Sequence, residues 1–171
     1  MLSTLQKLLP TRVVYQEVIR EVIVYKDPEW MTYPKQNSNI RIDSSEVDTI
    51  CRSTPGVRST CQKFYADPSY KLVDMATLKN WLAKDTVNKM KYVTVDHDCD
   101  DFATSLNGHA CDWDSALCFG IAWGYQPSGG FHAVNVAIGT DRKMYLIEPQ
   151  TDGVIQPVDI RNWDITHLFF M

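Results

Sequence analysis

Three side chains far apart in a chain of 171 residues, Cys99, His132 and Glu148, have the types needed for nucleophilic chemistry. A thiol attacks well only after a base takes its proton, and the base works best when a third group fixes its tautomer. Cys99 opens the stretch CDDFATSLNG, where Phe102, Ala103 and Leu106 fall on one helical face and Gly108 is expected to end the helix. Asp98 occupies the N-cap position, which places Cys99 in the first turn. Free amides and the positive end of the helix dipole favour a thiolate there, and the Cys99 amide can meet a developing oxyanion. Asp96, Asp98, Asp100 and Asp101 oppose this with negative charge, so a nearby imidazolium is required.

A hairpin is expected to supply it. FHAVNVAI, GTDRK and MYLIEP read as two strands joined at Gly139–Asp141. A turn centred on Thr140 sets His132 opposite Glu148, on a face shared with Val134, Val136, Ile138, Met144 and Leu146. That face is expected to receive the Cys99 helix. A slip of one residue moves Glu148 to the other face. His132 then acts as base and later as general acid, with Glu148 orienting its ring. Asn135 points away from His132 and is left out of the site, and Gly129-Gly130 reads as a turn.

Other elements must hold these in place. Residues 13–25 read as a short a/d-patterned helix, or almost equally as a β-branched strand, and offer a route to a homo-oligomer. KDPEWMTYPKQNSN reads as a linker, which divides the chain into an N-terminal appendage and linker, 1–40, and a main domain, 41–171. Ser44-Ser45-Glu46 caps a short helix reaching about Cys51, and Asp74 caps MATLKNWLAK. KYVTV, ALCFGIAWGY and the terminal NWDITHLFFM supply further strands, the last as a final or edge element.

A net charge of −4, with no basic stripe, argues against nucleic acid as the main partner. No apolar run nears the ~18 residues of a membrane span, and no secretory signal is recognisable, so a soluble protein without a membrane partner is expected. Five cysteines lack any CxxC pair; Cys51 with Cys61 and Cys111 with Cys118 are the pairings an oxidising compartment would favour, against free buried thiols in a reducing one. Asp96, Asp98 and Asp100 open like a calcium loop, but Asp101 stands where glycine is needed and Asn107 where glutamate is expected, so an EF-hand is excluded and only another kind of calcium site stays open. Zinc held by Cys99, His132 and Glu148 fits ligand chemistry and is the weaker metal reading. No cofactor is required by the triad.

The string Asp98-Cys99-Asp100-Asp101-Phe102-Ala103 resembles the nucleophile motif of transglutaminase-like cysteine proteinases, and Phe131-His132-Ala133-Val134 and Leu146-Ile147-Glu148-Pro149 resemble that group's His and acidic strands. The order and spacing are also similar to the papain-like protease domain fused to a fungal chimeric lectin. This resemblance, over roughly residues 75–150, implies an α+β papain-like or transglutaminase-like fold with the Cys-bearing central helix packed on an antiparallel sheet. It implies a cysteine peptidase or amidase working through a thioester, on a peptide, protein or peptidoglycan substrate, and the lectin-fused domain adds calcium as a cofactor the resemblance would allow. The oxyanion-hole side chain such enzymes carry is sought among Gln62, Trp81, Asn88 and His97. Alternatives are an NlpC/P60-like peptidoglycan hydrolase, an acyl transferase, and a catalytically silent structural or binding module. Residues 1–70 resemble no family, and no lectin repeat is present.

Overall fold

Period-two alternation in the second half of the chain builds one large sheet. The computed structural model describes residues 26–36 and 38–171, so the 13–25 segment lies outside the described residues. Strands β2 (Val57–Tyr65), β4 (Phe119–Tyr125), β5 (Phe131–Ile138), β6 (Met144–Glu148), β7 (Gly153–Ile155) and β8 (Asp164–Phe170) form six strands in the order β2-β8-β4-β5-β6-β7. A two-stranded ribbon, β1 (Arg41–Asp43) with β3 (Ser69–Lys71), stands apart. Helices α1 (Glu29–Thr32), α2 (Ser44–Ser53), α3 (Met75–Leu82), α4 (Cys99–Asp114) and α5 (Pro157–Ile160) flank the sheet. The result is a mixed α/β architecture with a large mixed sheet and few helices.

The sheet departs from the expected antiparallel one. β8 runs parallel to β2 and antiparallel to β4, so the C-terminal strand lies inside the sheet, not at its edge. β2 itself begins at Val57, inside the break STPGVRST, and carries no strong apolar alternation, which is why the sequence does not announce it. KYVTV is not a regular strand: Val93 makes a single bridge to His97, Val95 has a positive φ of 75° and the stretch is solvent-exposed.

The two faces of β5 explain where the helices go. Val134, Val136 and Ile138 join Met144, Leu146, Val47 of α2 and Ile160 of α5 in one cluster. Ala133, Asn135 and Ala137 point to the opposite face, where small side chains let α4 lie close. Asn135 Nδ2 donates to the Ala103 carbonyl of α4 at 2.8 Å and to the Gly120 carbonyl of β4 at 3.1 Å, tying helix to sheet. Beyond α4 the core is aromatic: Trp81 and Trp113 stack at 4.8 Å, both fully buried. Each such indole contributes about 3 kcal/mol of apolar burial.

Helix starts are set by acidic caps. Asp74 accepts from the Thr77 amide at 2.7 Å, and Asp43, one residue before the expected Ser44, accepts from that of Glu46 at 2.8 Å. α4 continues past Gly108, the expected stop. No atom lies within 4 Å of a Cβ built there, and Ala110 and Trp113 resume the buried face, which outweighs the ~1 kcal/mol a helical glycine costs. The stretch read as a linker packs inward: Trp30 is 5% exposed, its carbonyl accepts from Trp81 Nε1, and the buried Gln36 bonds Leu72 and Asp74. All five cysteines are free. No helix among the described residues is long and apolar enough to cross a membrane.

Candidate functional site

His132 and Glu148 stand at the ends of β5 and β6 that lie furthest from their shared turn. His132 Nε2 is 2.7 Å from Glu148 Oε2, while Glu148 Oε1 accepts from the Gln150 amide at 3.2 Å. The register pairs Asn135 with Ile147 and Val136 with Leu146, two residues from the expected one. A slip of two keeps both side chains on one face, so the contact is made diagonally. The His132 ring lies 6.3 Å from Trp163, a member of the α2-side cluster.

Cys99 sits on the other side of the sheet. It packs, as Trp123 also does, against the cluster of Ala103, Ile121 and Ala133. Trp123 pairs with Ala133, whereas His132 pairs with Gly124, so thiol and imidazole project from opposite faces. Among the described residues no hydrogen bond joins them. The expected convergence of Cys99 with His132 and Glu148 is therefore corrected: α4 packs on the small side chains of β5, not on its valine face. The same separation removes zinc held by these three residues.

The acidic run serves the helix start. Asp98 and Asp101 form a capping box, with Asp101 Oδ2 accepting from the Asp98 amide at 3.1 Å. A side-chain hydrogen bond between Asp98 and Asp100 holds the first carboxyl below its ordinary range and the second above it. Asp98, Cys99 and Asp100 bring ligand atoms within 4.8 Å of one another, while Asp96 is exposed. Calcium takes six to eight oxygens, and two carboxylates with a thiol on successive residues do not fit it.

The second-rank candidates scatter. Trp81 is sealed in the core, Asn88 Nδ2 donates to Asp152 Oδ2 at 2.6 Å, and the His97 ring lies against Phe102 at 4.7 Å. Gln62 lines an open concavity.

That concavity is a groove of about 370 Å³ lined by Gln62, Lys63, Phe64, Trp123, His167, Leu168 and Phe169. Register builds it from two rows across three strands. Gln62, His167 and Trp123 align in one row; Phe64, Phe169 and Ile121 align in the next. Phe64 and Phe169 stack at 5.0 Å with planes 8° apart. A bulge between Trp123 and Gly124 leaves Thr166 as the extra residue of β8. Its hydroxyl donates to the Trp123 carbonyl at 3.2 Å and lies 2.9 Å from His167 Nδ1, fixing both groove residues. Gly124 permits this approach, since a Cβ there would meet the Asp164 carbonyl oxygen at 2.5 Å. Trp123 also touches the Cys99 cluster, so the tip of α4 borders the groove. Nothing local in the sequence singles out Trp123, His167, Phe64 and Phe169. Their spacing, Gln-x-Phe and His-x-Phe, is the available signal, but only the parallel pairing of β2 with β8 aligns them.

No family model matches the chain, and no curated protein matches it. Solved structures do match. One is a PSL1a–E64 complex, 19% identical with a TM-score of 0.68, covering 76% of this chain and 51% of that one. Another is the Polyporus squamosus lectin bound to the human-type influenza-binding epitope Neu5Aca2-6Galb1-4GlcNAc, 19% identical with a TM-score of 0.65, over 76% and 49%. The chain spans about half the length of these chains, and the likeness is one of fold. It corrects the family reading taken from Cys99, His132 and Glu148. One of these neighbours carries the name of a lectin, and neither carries that of a papain-like or transglutaminase-like proteinase. With that go the cysteine peptidase or amidase activity and the peptide, protein or peptidoglycan substrate.

Proposed function

We propose that this chain is a binding module whose ligand is a saccharide, seated in the Trp123 groove. The observation that carries the reading is the pairing of flat apolar rings with polar tips in one open concavity. A sugar ring has a C–H face that lies on an aromatic side chain and a rim of hydroxyls that need donors and acceptors. Trp123 and the Phe64–Phe169 stack supply the first, and the Gln62 amide with the His167 imidazole supplies the second. The ligand named for one structural neighbour is a glycan, which supports the same class here. For the finer form of the fold we propose a central helix on a sheet of the general papain-like kind, supported by α4 lying on β5 through Asn135.

Calorimetric titration with neutral and sialylated oligosaccharides, Neu5Aca2-6Galb1-4GlcNAc among them, tests the function. Saturable binding that weakens at least tenfold (about 1.4 kcal/mol) in Trp123→Ala supports it. Absence of binding across the panel, or equal binding by the variant, refutes it.

A further inference from the structure

A second polar cluster lies under the β6–β7 turn, outside the Trp123 groove, and it includes Asn88. Asp85 is 1% exposed; its Oδ1 accepts from the Val87 amide at 2.7 Å, and its Oδ2 lies 2.6 Å from His109 Nδ1. His109, on α4, stacks on Trp30 at 4.0 Å. Asp152, in the turn and at a positive φ of 59°, receives one hydrogen bond, from Asn88 in the 3-10 turn Val87–Lys89. Asp152 Oδ1 and Asn88 Oδ1 are buried and have no partner. The cluster is thus rich in acceptors and short of donors, the condition in which a proton is the missing piece.

We propose that Asp152 is a proton-operated latch: in mild acid it takes up a proton and clamps the β6–β7 turn onto the 3-10 turn beneath it. The charged groups acting on it are Asp85 and Lys89. Burial and the Asp85 charge push the Asp152 carboxyl up to about 6, and Lys89 acts weakly the other way. His109 faces Asp85 on its far side. A carboxyl that is easier to protonate folded than unfolded makes the fold more stable as pH falls through about 6 toward its ordinary value of 3.8. Above that window a poorly compensated buried charge remains. The turn is the one whose Gln150 and Thr151 amides bond Glu148, so the latch bears on the seating of the His132–Glu148 pair.

The test is a carboxyl NMR titration of the full chain with thermal melts at about pH 5 and about pH 7.5. Expected are an Asp152 midpoint near 6, a Gln150 amide shift with the same midpoint, and a fall of that midpoint in Asp85→Asn. Asp152→Asn should raise the melting temperature at the higher pH and leave it nearly unchanged at the lower. An Asp152 midpoint near 3.8, or an Asp152→Asn variant destabilised equally at both pH values, overturns the latch.

Discussion

On its α2 side, β5 offers Val134, Val136 and Ile138 to a hydrophobic cluster that closes over them; at its end the His132–Glu148 pair faces Trp163. On its α4 side the same strand offers Ala133, Asn135 and Ala137, and the helix covers only part of the sheet. What α4 leaves uncovered, toward β8 and β2, is the aromatic groove. One face is filled and the other is left open beside a helix tip. Strand alternation alone decides which residues belong to which, so two groups adjacent in sequence, such as His132 and Ala133, serve different surfaces.

The sharpest way to break this comparison is to damage the covering of the α4 side. Trp113→Ala removes half of the Trp81–Trp113 stack and should cost 3–5 kcal/mol in urea unfolding, roughly the range for aromatic truncation in a core. Asn135→Ala removes both bonds that tie α4 to the sheet and is expected to cost about 1–3 kcal/mol, read from the same denaturation curves. Glu148→Gln keeps the shape of its pair but loses charge assistance in a partly buried setting. It should cost about 1 kcal/mol or less and leave saccharide titrations unchanged. The smallest effect concerns the thiols. Cys99 is partly exposed, whereas burial pushes the Cys51 thiol up to about 12 and that of Cys118 well above its ordinary value. Iodoacetamide should therefore modify Cys99 ahead of both, and His132→Ala should leave its rate unchanged. A large fall in that rate would show that thiol and imidazole meet after all.

The sequence made several local features legible. Acidic caps, the apolar periodicity of α3 and α4, and the Gly139 turn each depend on neighbours within a few residues, and each stands close to where those neighbours place it. Which face of the sheet α4 covers does not depend on α4. It depends on the size difference between Val134 and Ala133 and on the Asn135 tether, and a helix with one apolar stripe fits either face. The groove was hidden for a related reason. Gln62 and Phe64 precede His167 and Phe169 by about a hundred residues, and the parallel pairing that brings them together leaves no turn signal between them. A motif of matching residue types thus proposed a site whose members lie on opposite surfaces.

The most direct measurement is an amide and indole NMR titration with the saccharide that binds best. Shifts are expected to concentrate at the Trp123 indole, the Gln62 side-chain amide and the His167–Phe169 backbone, with the Val134–Val136 face unmoved. Shifts centred instead on His132, Glu148 and Trp163, with Trp123 silent, would contradict saccharide binding in the Trp123 groove.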